Sequence, residues 1–347
     1  MSNPSKTPPR ALILGCEGTQ LTDEEREFFG AVDPFGFILF ARNCGTPEQI
    51  AGLTRDLRAC VDRTDAPILI DQEGGRVQRL KPPQWRAAPP AGRFGELSAA
   101  DPVLAEELCR LNARLIAEDL RPLGIDVDCL PCLDLRHPST STVIGDRSFS
   151  LDPALVVRLA RAQMDGLRQG GVLPVMKHVP GHGRAQVDSH FELPVIEEGL
   201  DELRQTDLAP FRELADQPMA MTAHIVVNCV DPERPATQSP AVIDGLIRGE
   251  IGFKGLLMTD DLGMQALCGG FAERAQASLQ AGCDIVLHCS GAMAEMREVA
   301  PACTTLADQT WSRWLASRQD WLAGGIEAFD ADAAQARLEE ALGTSDA

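Results

Sequence analysis

The amino-acid sequence predicts a single α/β domain folded as a (β/α)8 barrel of the TIM type. Eight short apolar runs recur along the chain and are separated by longer stretches with helical periodicity. The runs are continuously apolar rather than alternating, which is typical of parallel strands covered on both faces. Eight strand–helix units fit a closed barrel first and an open, doubly wound sheet second.

The predicted strands begin at residue 11 and end at residue 287. They cover residues 11–14, 36–40, 67–70, 125–135, 172–176, 219–222, 256–258 and 285–287. Between them, residues 22–25 (Thr-Asp-Glu-Glu) are typical of a helix N-cap with acids in the first turn. A helix over residues 46–61 places Ile50, Leu53, Leu57 and Cys60 on one face, which should pack against the barrel.

The strand and helix pattern continues without a linker, which favours one domain. Residues 1–10 are polar and rich in proline, and we expect a disordered tail there. Residues 11–347 form the predicted catalytic barrel, with its C-terminal helices. In the last of these, Trp311, Trp314 and Trp321 recur at helical spacing, which indicates packing rather than ligand stacking.

The charge balance limits the possible partners. The formal net charge is -19 at pH 7, so a nucleic-acid backbone or an anionic membrane would be repelled. We therefore expect a small-molecule substrate, no nucleic acid and no membrane. No run approaches the roughly 18 apolar residues of a membrane span, and the N-terminus lacks the apolar core of a signal peptide. These features predict a cytoplasmic protein, and a monomer is favoured although the sequence does not determine the oligomeric state.

The cysteine pattern indicates reduced thiols. The chain has eleven cysteines, an odd number, and most of them are isolated in the sequence. Cys129 and Cys132 form a Cys-Leu-Pro-Cys pair that could be redox-active or half of a zinc site. No second pair has zinc-ligand spacing, so the pair is interpreted as two buried small residues.

Polar residues follow several predicted strands directly. Asp71 follows the third strand, Lys177 and His178 the fifth, His224 the sixth, and Asp260 with Asp261 the seventh. The carboxyl ends of barrel strands meet on the face where such barrels carry out their chemistry. The sequence therefore predicts one pocket that receives side chains from several strands.

The segment 177–194 has the highest density of chemically active residues. It reads Lys-His-Val-Pro-Gly-His-Gly-Arg-Ala-Gln-Val-Asp-Ser-His-Phe-Glu-Leu-Pro and holds three of the six histidines. Asp188 and His190 lie two residues apart in a loop, where a carboxylate would orient the imidazole as a proton donor and acceptor near neutral pH. A contact that only stabilises the loop would have the same pattern.

Metal binding is an alternative use of the same segment. His178, His182, Asp188 and His190 carry suitable ligand atoms, and the first two have i, i+4 spacing. Pro180 and the neighbouring glycines exclude a regular helix, so that spacing does not place both imidazoles on one helical face. We therefore predict no metal and no cofactor.

Carboxylates and arginines elsewhere complete the candidate site. One carboxylate of Asp260 and Asp261 could be a nucleophile while the other braces the next helix, although both could simply cap that helix. Arg79 and Arg147 lie in loops after predicted strands. Each could bind sugar hydroxyls or form an ordinary surface ion pair.

These motifs together resemble the β-N-acetylhexosaminidases of glycoside hydrolase family 3, specifically the single-barrel bacterial type that acts in cell-wall recycling. Five stretches carry the resemblance, and they occur in the family's order: Ile-Asp-Gln-Glu-Gly-Gly-Arg-Val-Gln-Arg-Leu (70–80), Gly-Asp-Arg-Ser-Phe (145–149), Lys-His-Val-Pro-Gly-His-Gly with Asp-Ser-His and Leu-Pro (177–194), Met-Thr-Ala-His (221–224) and Thr-Asp-Asp-Leu-Gly-Met (259–264).

The resemblance implies a retaining hydrolysis in two steps. Asp260 would be the nucleophile that forms a covalent glycosyl-enzyme, and His190 the general acid/base, with Asp188 as its partner. Five further residues would hold the N-acetylglucosamine: Asp71, Arg79, Arg147, Lys177 and His178. The implied substrate is terminal N-acetyl-β-D-glucosamine, as in GlcNAc-anhydroMurNAc muropeptides of peptidoglycan recycling.

Three other functions stay open from the sequence. They are a related glycoside phosphorylase that uses phosphate as acceptor, a metal-dependent barrel hydrolase, and a barrel that binds carbohydrate without turnover. The glycines around His182 further suggest that the loop carrying His190 moves when substrate binds.

Overall fold

The structure is a computed structural model that describes residues 7–137 and 143–343. Its main sheet contains nine strand segments, all paired in parallel, in the order β5-β4-β3-β2-β1-β11-β10-β8-β6. The segments are β1 Arg10–Leu14, β2 Pro34–Leu39, β3 Ile68–Ile70, β4 Val127–Asp128, β5 Leu173–Pro174, β6 Met176–Val179, β8 Met219–Thr222, β10 Leu256–Asp261 and β11 Ile285–His288.

The sheet closes on itself at Val175. β5 pairs with β4 and β6 pairs with β8, yet only Val175 separates the two segments. They are therefore one barrel strand that changes partners, and the nine segments make eight strands. The predicted (β/α)8 barrel is confirmed, with a strand in each of the eight predicted runs, and the alternative of an open sheet is wrong.

The helices alternate with the strands as expected for this barrel. They are α1 Asp23–Val32, α2 Pro47–Cys60, α3 Ala91–Ser98, α4 Pro102–Leu120, α5 Pro153–Gln169, α6 Leu200–Gln205, α7 Ala209–Glu213, α8 Phe271–Ala281, α9 Met293–Val299, α10 Asp308–Leu322 and α11 Ala331–Leu342, with a π-helix over Ala241–Glu250. Two further strands, β7 Val195–Ile196 and β9 Val226–Val227, form a small parallel sheet beside the barrel.

Local sequence signals explain where these helices begin. The Thr22 hydroxyl accepts from the Glu25 backbone N–H at 3.1 Å, and the Glu25 carboxylate accepts from the Thr22 N–H at 2.8 Å, which is a capping box at α1. Thr46 caps α2, with Pro47 in the first turn. Both helix starts agree with the prediction.

The strands are buried on both faces, which accounts for their continuous apolar runs. Ala11 and Ile13 of β1 belong to one buried cluster. Leu12 belongs to a second cluster, which also contains Ile50 and Leu53 of α2. The face predicted for α2 therefore packs on the barrel, except that Cys60 at its end is only half-buried.

The C-terminal tryptophans pack against the barrel, as predicted. The rings of Trp311 and Trp314 meet the Phe35 ring edge-on, with centroids 6.2 and 5.2 Å apart. The indole N–H of Trp321 donates to the Val172 carbonyl oxygen at 2.9 Å. Helix α10 therefore packs against residues at the amino ends of strands β2 and β5.

The predicted N-terminal tail, residues 1–10, is described only in part. Its first six residues lie outside the described residues, and β1 begins at Arg10, inside the predicted range. All eleven cysteines lie within the described residues, and each is a free thiol, with Cys129 and Cys132 buried. Across the described parts of the chain, the helices lack the length and apolar character needed to cross a membrane.

Candidate active site

A cavity of about 310 Å³ opens at the carboxyl ends of the barrel strands. Side chains from strands β2, β6, β8, β10 and β11, and from the loops that follow the barrel strands, line it together. The lining includes all eight residues predicted from the sequence: Asp71, Arg79, Arg147, Lys177, His178, Asp188, His190 and Asp260.

One wall of the cavity is a cluster of buried ions built around Lys177. Its ammonium group lies 2.8 Å from Asp71 Oδ1 and 2.6 Å from Glu73 Oε1. Arg79 contacts the other oxygen of Asp71 at 3.0 Å. Burial alone would raise the pKa of Asp71, but Lys177 and Arg79 hold it well below its ordinary value. Asp71 is therefore a carboxylate with fixed orientation at the cavity wall.

Glu73 connects this cluster to Arg147, in the loop after strand β4. Its two carboxylate oxygens accept from Nε and NH2 of Arg147, both at 2.8 Å, in a bidentate pair. Burial opposes ionisation, but Arg147 and Lys177 lower the pKa of Glu73 from 4.5 to about 2. The pair holds Arg147 at the cavity wall, against His178 at the end of strand β6.

Asp134 orients His178. Asp134 Oδ2 lies 2.6 Å from Nδ1 of His178, and Oδ1 accepts the His182 backbone N–H at 2.6 Å. Burial would raise the pKa of Asp134, but the two histidines hold it below its ordinary value, so it is an acceptor. His178 must then carry a proton on Nδ1, while Nε2 faces Arg147 NH2 at 3.4 Å.

Glu73 and Asp134 are site residues that the sequence prediction missed. Glu73 stands two residues after Asp71, a spacing that places both side chains on one side of an extended chain. Asp134 is a charged residue inside the apolar run 125–135. A buried charge requires a partner, and that signal could have pointed to it.

Asp260 and Asp261 have different environments at the end of β10. Asp260 lines the cavity and accepts the Asp261 backbone N–H at 2.8 Å. Burial raises the pKa of Asp260, but His178 and His224 outweigh it, so the net direction is downward. Asp261 Oδ1 instead accepts the backbone N–H groups of Gly263 and Cys289, at 3.1 and 3.0 Å. Both residues line the cavity, but it is the Asp261 carboxylate that these backbone contacts commit to bracing the strand ends.

His224 stabilises the carboxyl end of strand β10. Its Nε2 lies 3.0 Å from the Asp261 carbonyl oxygen, and its Nδ1 lies 2.7 Å from the Thr237 hydroxyl. A carbonyl oxygen only accepts, so Nε2 carries the proton. Burial lowers the pKa of His224, although the nearby Asp260 and Asp261 oppose that shift. The residue therefore fixes the backbone that carries Asp260.

Asp188 and His190 form a dyad on the loop after β6. Nδ1 of His190 lies 2.7 Å from Asp188 Oδ1, and the same oxygen accepts the His190 backbone N–H at 2.9 Å. Burial would raise the pKa of Asp188, but these contacts lower it overall. The His190 side chain is 61% exposed, so its second ring nitrogen is accessible to a ligand.

The dyad is anchored through Ser189, which lies between its two members. Ser189 is buried, and its hydroxyl lies 3.0 Å from Nε2 of His182. The backbone N–H groups of Gln265 and Ala266, in the loop after Asp260, donate to the carbonyl oxygens of His190 and Ser189 at 3.4 and 3.3 Å. The dyad loop thus rests on the loop that follows the strand-end carboxylate.

The base of the dyad loop is held by Arg184. Its guanidinium contacts Asp207 at 2.6 Å and Glu198 at 3.0 Å, so the two ends of the loop are joined. Gly183 packs on the backbone of Leu135, where a Cβ atom would lie only 2.0 Å from the carbonyl oxygen. The chain is therefore fixed on both sides of the segment that carries the dyad.

The side chains of the predicted metal alternative are held by other partners. His182 contacts Ser189, while His190 contacts Asp188. Among residues 7–137 and 143–343, the cluster with metal-ligand geometry is Cys132, Asp134 and His178. Burial raises the pKa of the Cys132 thiol well above its ordinary value, and its Sγ lies 3.2 Å from Asp134 Oδ2. Asp134 also lies 2.6 Å from Nδ1 of His178, so the three side chains form a hydrogen-bond network.

A barrel that presents a strand-end carboxylate and an Asp–His dyad to one polar cavity has the parts of a glycoside hydrolase. Comparisons with known proteins narrow this class. Residues 15–310 match the glycosyl hydrolase family 3 N-terminal domain. The chain belongs to glycosyl hydrolase family 3, which confirms the resemblance read from its motifs.

Within the family, the chain is similar to β-hexosaminidases. It is 42% identical over 283 residues to a β-hexosaminidase of Alkalilimnicola ehrlichii, covering 80% of each chain. It is 39% identical to that of Bordetella avium, covering 83% of this chain and 82% of the other. NagZ from Neisseria gonorrhoeae, solved with N-trifluoroacetyl-D-glucosamine, superposes with a TM-score of 0.86 at 34% identity, covering 97% of this chain and 99% of NagZ.

Proposed function

We propose that the protein is a retaining β-N-acetylhexosaminidase that removes terminal N-acetyl-β-D-glucosamine. One observation carries the proposal: an ionised carboxylate, Asp260, shares a single polar cavity with the Asp188–His190 dyad. The similarity to β-hexosaminidases, and to a NagZ that binds an N-acylated glucosamine, supports the choice of sugar.

The ion cluster binds and orients the sugar. Asp71 accepts from sugar hydroxyls, and Arg79 and Lys177 donate to them from either side of that carboxylate. Arg147 and His178 donate to or accept from the remaining hydroxyls and the acetamido group. Their own partners already hold these side chains in place, so little ordering entropy is lost on binding.

In the first chemical step, Asp260 attacks the anomeric carbon and the bond to the leaving oxygen breaks. His190 gives its proton to that oxygen, and a covalent glycosyl-enzyme forms. The lowered pKa of Asp260 keeps the nucleophile ionised at neutral pH. The Asp188 carboxylate orients the imidazole and stabilises its charged form.

In the second step, His190 takes a proton from water, and the water oxygen attacks the anomeric carbon. The bond to Asp260 breaks and the carboxylate is restored, so the product keeps the β configuration. A histidine suits both directions of transfer because imidazole titrates near neutral pH. Water is the proposed acceptor, in preference to phosphate.

We extend the proposal to the physiological setting. The likeness to NagZ supports a cytoplasmic enzyme that acts on GlcNAc-anhydroMurNAc muropeptides in peptidoglycan recycling. The overall charge of -19 supports a small soluble substrate rather than a polyanion.

A chromogenic N-acetyl-β-glucosaminide tests the proposal directly. Asp260→Asn should lose about 1,000-fold or more in kcat, because it removes the nucleophile. His190→Ala should lose about 100-fold or more on substrates whose leaving group needs a proton. Asp320→Asn, on the exposed face of α10, is the matched control and should retain wild-type turnover.

The same assay separates the alternatives. Full activity of Asp260→Asn would refute the proposed nucleophile. Activity lost to a chelator and restored by a metal ion would favour a metal-dependent hydrolase. A sugar phosphate formed in phosphate buffer would favour a phosphorylase, and an inactive wild type that binds the sugar would favour a binding barrel. A β-glucoside run in parallel tests the need for the acetamido group.

A further inference from the structure

The chain has few aromatic residues with which to contact a sugar ring. It contains no tyrosine, and three of its four tryptophans are buried in helix α10. Among the described residues, the large apolar side chains with high exposure are Val103, Leu151, Phe191, Val195 and Ile326. Phe191 is the one aromatic residue in that group, and it is 73% exposed.

Phe191 lies directly beside the proposed acid/base. It follows His190 in the chain, and its backbone N–H donates to the Asp188 carbonyl oxygen at 2.9 Å. The centroids of the Phe191 and His190 rings are 6.4 Å apart, with the ring planes inclined by 51°. His190 lines the cavity, and the exposed Phe191 ring lies next to it on the same loop.

If the protein has the proposed function, the leaving group of the substrate extends toward Phe191. His190 must contact the glycosidic oxygen, and the ion cluster around Lys177 holds the sugar on the inner side of that oxygen. The aglycone therefore extends outward past His190, and its first ring comes within reach of Phe191. The C–H face of a pyranose gains dispersion and hydrophobic stabilisation against an aromatic ring.

We propose that Phe191 is the platform of an aglycone subsite, where it binds the sugar ring next to the bond that is cleaved. The subsite selects saccharide leaving groups over small ones, because a small leaving group cannot reach the phenyl ring. The inference rests on the proposed function and adds a specificity-determining residue to it.

Two substrates with the same sugar and different aglycones test the inference in the full-length protein. The disaccharide N,N′-diacetylchitobiose carries a pyranose leaving group, and methyl N-acetyl-β-glucosaminide carries a methoxy group that also needs a proton but is too small to reach the phenyl ring. Phe191→Ala should lower kcat/KM for the disaccharide by about tenfold and change that for the methyl glycoside by less than about twofold. Phe191→Trp should keep disaccharide activity within about threefold of wild type.

Val103→Ala is the matched control, since Val103 is 76% exposed at the start of α4 and does not line the cavity. It should leave both substrates unaffected. An equal loss on both substrates in Phe191→Ala would overturn the inference, because the residue would then act through the position of His190. Unchanged disaccharide hydrolysis in that variant would also overturn it while the proposed function stands. A wild type that hydrolyses neither substrate would refute both.

Discussion

Replacing Glu73 by Gln removes one negative charge from the buried ion cluster at the carboxyl end of the barrel. In the wild type, two carboxylates, Asp71 and Glu73, face three cations, Arg79, Arg147 and Lys177. Gln keeps nearly the same shape but leaves Arg147 and Lys177 without their shared counter-charge. Breaking a buried ion pair by neutralising one partner typically costs about 3–5 kcal/mol.

The pKa of Glu73 gives a second measure of the same effect. Burial would raise that pKa, but Arg147 and Lys177 lower it from 4.5 to about 2. At 1.36 kcal/mol for each pH unit, the difference corresponds to about 3 kcal/mol of folding stability at neutral pH. Both arguments lead to the same order of magnitude, so Glu73→Gln should destabilise the folded protein by about 3 kcal/mol.

The pH dependence of this loss has a definite sign. Because the folded pKa is depressed, the stabilisation is fully present above about pH 4.5, where the unfolded glutamate is ionised. It disappears as the pH falls toward about 2 and the folded carboxylate takes up a proton. The gap in unfolding free energy between wild type and Glu73→Gln should therefore narrow steadily between pH 4.5 and pH 2.

Equilibrium urea unfolding, followed by circular dichroism at several pH values, measures this gap. Glu106→Gln is the control, because the ion pair of Glu106 with Arg158 is exposed, with 34% and 48% of the two side chains accessible. That change should cost less than about 1 kcal/mol. Equal effects of the two substitutions, or a Glu73 gap that stays constant down to pH 2.5, would refute the reasoning.

Three further predictions concern the cavity. Asp134→Asn weakens the hold on His178 and should raise KM for an N-acetylglucosaminide about tenfold in steady-state kinetics; an unchanged KM would contradict this role. Ser189→Ala removes the contact with His182 and should lower kcat/KM about tenfold while the urea midpoint stays close to wild type; undiminished activity would show that the anchor is dispensable. A fluorinated N-acetylglucosamine whose fluoride leaves without a proton should inactivate the enzyme by reacting with Asp260. The rate of inactivation should be independent of pH down to about 4, because the pKa of Asp260 is lowered below 3.8. A rate that begins to fall near neutral pH would contradict this ionisation state of Asp260.

The barrel could be predicted because burial on both strand faces leaves a direct trace in the sequence. Continuous apolar runs such as 285–287 match their strands almost residue for residue. The run 125–135 matches less well, since Val127–Asp128 forms the strand and Cys132 adds an isolated parallel bridge to Lys177. Pro131 has no N–H to donate, and Asp134 contacts His178, so the pairing is interrupted within a run that is buried almost throughout.

The sequence predicted which side chains line the candidate site, but it did not predict the partners that those side chains contact. Charged residues at strand ends indicated which side chains meet at one face. Their partners depend on how distant strands align when the barrel closes. Lys177 meets Glu73, and His178 meets Asp134, across long stretches of chain. Such pairs leave no periodic signal in the sequence, which is why Glu73 and Asp134 were missed.

The ion pair between Arg184 and Glu198 has a consequence for the integrity of the enzyme. It ties together the two ends of the exposed segment that presents the dyad. If a protease cut that segment between residues 186 and 192, both new ends would stay tethered to the barrel. The nicked molecule would keep the ion cluster around Lys177 intact, but the Asp188–His190 dyad would no longer be held in one continuous loop. The proposed sugar-binding and proton-transfer roles therefore lie on separate parts of the chain, and one part can change without the other.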